Sequence, residues 1–170
     1  MAAAPKVELD CDGSFSAAAA LVVAARSREV FEHAKGVLDL SEIEHVHDMR
    51  VATRRLRAAL EVFAPAFPRK RHRKALKRVK ELADALGARR DADVEIELLE
   101  CFANPGCNAL SPDTGDYALR SVEEATLEGL IDEVGKRQRE ANRELAQHVE
   151  RKRLKKLRKR LKKLVKAAGS

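Results

Sequence analysis

A histidine and three arginines stand at offsets 0, +3, +7 and +10 in the stretch His47-Asp48-Met49-Arg50-Val51-Ala52-Thr53-Arg54-Arg55-Leu56-Arg57. At about 100° per residue of α-helix, His47, Arg50, Arg54 and Arg57 fall within roughly an 80° arc of one face. Met49, Leu56, Ala59, Leu60 and Phe63 cluster on the opposite face. Like charges three and four residues apart repel by a few tenths of a kcal/mol per pair, so the row is kept against a local cost. The chemistry it offers is anion capture. Arginine presents a planar fork that binds phosphate oxygens in pairs, while lysine acts as a mobile point charge.

A second cationic row follows. Lys70, Arg73, Lys74, Lys77 and Lys80 share one side of a helical pattern whose other side carries Leu76, Val79, Leu82, Ala83 and Leu86. Residues 47–90 hold 14 Lys/Arg against 4 Asp/Glu, and residues 151–166 hold 11 against none. Those two segments contribute +10 and +11 to a net charge of +7, so the rest of the chain carries −14. Basic charge is therefore segregated, as it is on surfaces that meet polyanions. Packed side by side through their apolar faces, the two rows would border one groove.

Two further clusters extend the candidate site. Arg89 and Arg90 precede Asp91, which reads as a helix cap, and cations beside a helix start can add to an anion site. Near the C-terminus, His148, Arg151, Lys155, Lys156 and Arg158 repeat the spacing of His47, Arg50, Arg54, Arg55 and Arg57. Lys155 and Arg158 are taken from this echo as candidate contacts. The helix that carries them has Leu154, Leu157, Leu161, Leu164 and Val165 in one stripe and is otherwise basic. That pattern also fits a membrane-surface or calmodulin-target helix, although it lacks aromatic anchors.

The elements that must position these groups are helices. Ser14 or Ser16 can cap a helix running to about residue 38. Ser41-Glu42-Ile43-Glu44 reads as a capping box launching the helix of His47, and Pro65 and Pro68 end it. The next helix spans 69–86, with Gly87 as its left-handed stop. Asp91 then caps a short helix through Val94, Ile96, Leu98, Leu99 and Phe102. Helical periodicity from about 118 to 167 would make a rod of about 75 Å, too long for one compact domain, so a break is expected at Gly129, at Gly135 or, the preferred place, near residues 148–150. No strand alternation appears. The reading is an all-α antiparallel bundle of four main helices plus a short extra helix, with a basic surface groove. Residues 1–14 form a flexible N-terminus and 15–168 a single domain.

Cys11, Cys101 and Cys107 lack metal-ligand spacing and read as free thiols of a reducing compartment. The apolar run 17–25 is too short to span a bilayer and follows acidic residues, against a signal peptide. The expectation is a cytoplasmic, soluble protein without metal or cofactor. Two other functions compete with polyanion scaffolding. Nucleic-acid backbone binding fits the charge, but the chain has no Trp and one Tyr, so stacking platforms for single strands are missing. A histidine phosphotransfer role for His47 lacks an accompanying acid cluster or Gly-rich phosphate loop.

The run Val46-His47-x-Met49-Arg50-Val51-Ala52-Thr53-Arg54-Arg55-Leu56-Arg57-x-x-Leu60 resembles the signature helix of the CHAD family. Downstream, Leu86-Gly87-x-x-Arg90-Asp91-x-Asp93-Val94 is similar to that family's second landmark. The resemblance spans about residues 15–165. It implies a helical domain whose basic face binds inorganic polyphosphate as a scaffold without turnover, in the cytoplasm and associated with polyphosphate granules. His47, Arg50, Arg54, Arg55 and Arg57 take the phosphate-contact role by this match, and the basic residues of the following helix take it as a group. Arg55 stands about 80° round from His47 and is the least aligned of the five. The family's full domain resembles two four-helix halves around a basic channel, and this chain has length for little more than one half. A second copy completing the channel, a homodimer, is the corresponding expectation.

Overall fold

The computed structural model describes residues 6–9, 12–103 and 124–168. They form five α-helices, α1 (Phe15–Glu32), α2 (Ile43–Val62), α3 (Arg69–Ala103), α4 (Glu124–Val149) and α5 (Arg151–Ala168), with a 3-10 turn at Ala64–Ala66 between α2 and α3. The all-α expectation holds. The expected flexible start at residues 1–14 lies partly outside the described residues.

Helix α1 begins as expected at Ser14, whose Oγ accepts a hydrogen bond from the Ala17 N–H at 3.2 Å. It stops six residues short of the expected end. The chain turns through Gly36, which adopts φ +82°, a conformation that glycine enters without steric cost. A Cβ at this position would lie 2.7 Å from Cδ2 of His45. Gly36→Ala should therefore lower stability by about 1–2 kcal/mol, read as a lower midpoint in urea denaturation.

The expected capping box at Ser41 does not form. The Ser41 hydroxyl and backbone N–H both donate to Asp39 Oδ1, at 2.7 and 2.9 Å, and α2 starts after Glu42 without a side-chain cap. Asp39 therefore uses Ser41 to close its own turn, a local competition common to Asp and Ser side chains.

Helix α3 runs unbroken for 35 residues through Gly87, where a stop was expected. A glycine inside a helix costs only about 1 kcal/mol relative to alanine, and packing on both sides of it outweighs that cost. Ala85 and Leu86 are buried before it, and Arg89, Ala92 and Asp93 after it. Asp91 is thus an exposed mid-helix residue, not a cap, and the short extra helix is the far half of α3. The expected break near residues 148–150 is present, at Glu150.

The near half of α3 completes a four-helix bundle with α1, α2 and α5. Helix α1 packs between α2 and α5, and α3 closes the ring between the same two helices. Helix α4 lies antiparallel along the far half of α3, tied by Arg137–Glu95 at 2.8 Å and by Gln138 Nε2 donating to Asp93 Oδ1 at 2.7 Å. Asn142 Nδ2 also donates to the Leu38 carbonyl at 3.0 Å.

The core joins Val23 and Val30 of α1, Met49, Leu56 and Leu60 of α2, Val79 and Leu86 of α3, Leu145 of α4 and Leu161 and Leu164 of α5. Leu157, Leu161 and Leu164 of the α5 stripe are thereby buried in the bundle, while Leu154 and Val165 are half-buried. No helix among the described residues is long and apolar enough to cross a membrane. Cys101 is disulfide-bonded, contrary to the free-thiol expectation. Its partner lies outside the described residues.

Candidate anion-binding site

The α2 row is positioned by what lies behind it. Val46, Met49, Leu56 and Leu60 are fully buried, which fixes the rotation of α2 and turns Arg54 outward. His47 and Arg50 are half-buried beside it. At the end of the row, Arg57 Nε donates to Glu61 Oε1 at 3.2 Å. Lys80 of α3 reaches the same oxygen at 3.1 Å. The α2 and α3 rows are therefore neighbours, meeting at one carboxylate.

Glu61 is the residue at this junction that the sequence reading did not single out. Fourteen residues on from His47, it stands about 40° from it on the wheel, inside the cationic arc. The Lys80 contact first and the Arg57 contact second hold its carboxyl below the usual carboxylate range, so it stays ionised at neutral pH. Its position four residues after Arg57 was the available signal, since such pairs meet on a helix surface.

The remaining candidates divide into groups. Arg55 points the other way, towards α1, where it lies 3.6 Å from Glu29, a buried carboxylate that Arg26 also contacts at 3.0 Å. Lys74 and Lys77 are exposed along α3. Lys70 and Arg73 line a cavity of about 820 Å³ at the α2–α3 corner, together with Pro65, Phe67, His72 and Leu76. The His72 ring stands nearly parallel to Phe67, 5° between planes, and its Nε2 donates to the Leu60 carbonyl at 2.7 Å. That contact fixes the corner from which the α3 row departs.

Arg89 does not belong to the site. Its side chain is 0% exposed and pairs with Asp93 one turn on, inside the α3–α4 interface. The i,i+4 spacing on a helix flank covered by α4 accounts for this, and no surface anion can reach it. Arg90 is nearly buried as well, ion-paired with Glu97 at 3.4 Å. On the α3 wheel it stands about 80° round from Lys80 and about 140° from Lys77, with its guanidinium held by Glu97.

Lys155 and Arg158 form a separate surface. Helix α5 lies across the bundle from α2. These two residues line a cavity of about 850 Å³ with Phe31, Val149 and Leu154, on the flank where α5 meets α1. The Arg158 guanidinium carbon sits 5.5 Å from the centroid of the Phe31 ring. On the other flank of α5, His148, Lys156 and Arg160 share a cleft of about 170 Å³ with Arg78 of α3. The echo of the first motif is thus split between two flanks.

The candidate surface that remains carries His47, Arg50, Arg54 and Arg57 of α2 with Lys74, Lys77 and Lys80 of α3, and the exposed Lys70 and Arg73 continue the α3 row to the corner. Such a surface can hold several phosphate oxygens at once through guanidinium forks and ammonium groups. Among the described residues, no group of three His, Cys, Asp or Glu is placed to hold a metal ion.

Fold and surface together define a class, an all-helical domain with adjoining cationic rows on two neighbouring helices. The chain belongs to the CHAD family, whose CHAD domain matches residues 21–170. CHAD domains are associated in general with polyphosphate binding and are generally non-catalytic binding modules. No curated protein and no solved structure matches the chain.

Proposed function

We propose that the α2–α3 face binds inorganic polyphosphate and holds it without turnover, as a scaffold or targeting contact. The observation that carries this reading is the meeting of Arg57 and Lys80 at one oxygen, which puts two cationic rows on one continuous surface. A linear polyanion is the ligand such a surface suits, because successive phosphates can follow a row while neighbouring side chains clamp both edges. His47 contributes a further polar group on the α2 row and is not assigned a phosphoryl-transfer step.

The test is a calorimetric titration against long-chain polyphosphate, duplex DNA and ATP at 50 and 200 mM salt. Polyphosphate should bind tightest. Its affinity should fall steeply with salt, about 10³–10⁵-fold for six to ten contacts on the duplex-DNA scale. Equal or tighter binding of duplex DNA would transfer the function to nucleic-acid backbones, and an absence of polyphosphate binding would end this reading.

A further inference from the structure

We infer that Glu61 is a built-in competitor for the phosphate face, and that it biases this face towards long phosphate chains over short ones. The inference rests on the polyphosphate reading above and adds a selectivity to it. Three features of the geometry carry it. Glu61 stands within the cationic arc of α2, not beside it. A single oxygen, Oε1, takes both the Arg57 contact at 3.2 Å and the Lys80 contact at 3.1 Å. Those two donors come from different helices, so an anion bridging α2 and α3 at this point must use the groups the carboxylate already holds.

The other acids nearby do not share this arrangement. Glu81 pairs with Arg78 on its own helix at 2.6 Å. Asp84 is exposed one turn beyond Lys80 and has no ion pair among the described residues. Only Glu61, of these, closes the junction between the rows.

A carboxylate attached by a short flexible side chain competes at an effective concentration on the order of millimolar. A phosphate chain of two or three units can engage few cations at once, and to bridge the rows it must displace Glu61. A long chain engages Arg50 and Arg54 on one side and Lys74 and Lys77 on the other. It either displaces Glu61 with the help of those contacts or passes over it at the loss of one contact among many. The tethered carboxylate therefore suppresses short chains most. An ordinary surface ion pair, worth a fraction of a kcal/mol to stability, would have no such ligand-length signature.

The experiment compares tripolyphosphate with long-chain polyphosphate on the wild-type chain, on Glu61→Gln and on the charge-matched control Asp84→Asn. Both positions are exposed, and unchanged helical circular dichroism confirms that the variants fold. Glu61→Gln should tighten tripolyphosphate about five- to tenfold, the effect of releasing one or two exposed ion pairs. Long-chain affinity should rise by less than about twofold. Asp84→Asn should move either ligand by less than about twofold. If Glu61→Gln tightens both ligands equally, or matches Asp84→Asn, the competitor role is overturned and only a general charge effect remains. If the wild-type chain does not bind long-chain polyphosphate, it is the reading of the face that fails.

Discussion

Replacing Arg50 and Arg54 together with alanine is expected to weaken long-chain polyphosphate binding about 100-fold. Hydrogen bonds to charged groups contribute about 1.5–3 kcal/mol each, and the low end applies because Arg54 is exposed and Arg50 half-exposed. Two losses of about 1.4 kcal/mol multiply to that factor. The salt dependence should change with the affinity. Two fewer phosphate contacts reduce the slope of log affinity against log salt by about 2 on the duplex-DNA scale. Neither arginine has an ion-pair partner among the described residues, so their removal leaves no stranded counter-charge and folding should be unchanged. Arg55→Ala is the informative contrast, because that guanidinium is turned towards Glu29 and its loss should affect binding little. Intact binding in the double variant would assign polyphosphate to another surface.

The largest stability effect is expected from Asp93→Ala. Asp93 pairs with Arg89 and accepts from Gln138 of α4 in the α3–α4 interface, and both charged side chains are fully buried. Removing one partner leaves a guanidinium in an apolar setting, which costs about 3–5 kcal/mol. For a chain of this size that corresponds to a fall in melting temperature of roughly 10 °C or more. Two further nitrogens of Arg89, Nε and Nη2, have no hydrogen-bond partner among the described residues, so the pair is under-satisfied there. Replacing Arg89 and Asp93 together by Met and Leu should accordingly recover most of the loss, since well-packed apolar residues often match or exceed a buried ion pair. Thermal denaturation followed by circular dichroism reads both effects. Below the melting transition, polyphosphate affinity should be unchanged in either variant, because the pair lies outside the α2–α3 face. Loss of affinity in the folded double variant would show that Arg89 contributes to the site after all.

The parts of this molecule that were legible in the sequence are those set by periodicity. Burial of Met49, Leu56 and Leu60 and exposure of Arg54 follow from the 3.6-residue repeat, as does the pairing of a cationic front with an apolar back on α2 and α3. Length alone required a break in the C-terminal helical stretch, and of its three candidate places α4 runs through Gly129 and Gly135 and stops before Glu150. What failed were local signals overruled by tertiary packing. Gly87 reads as a stop only if α4 is ignored, and Ser41 reads as a cap only if Asp39 two residues earlier is ignored. Arg89 looked like a surface cation because its partner, Asp93, was read as part of a motif and not as a counter-ion. The division of the basic residues of α5 between two flanks depends on which helices lie beside it, and no pattern within residues 151–166 contains that information. Glu61 was visible as a residue, but its role required the position of Lys80 on another helix.

The uninterrupted course of α3 through Gly87 has a consequence for cooperativity. Helices α2 and α5 are fastened to the first half of this helix, and α4 to the second. Had the chain stopped at Gly87, the bundle and the α3–α4 hairpin would be two separable units joined by a hinge. With one rod common to both, the second half cannot unravel without fraying the helix that supplies Lys77 and Lys80. The half that carries Lys77 and Lys80 and the half held by α4 should thus share one unfolding transition, and under the proposed function polyphosphate bound at the first would stabilise the second.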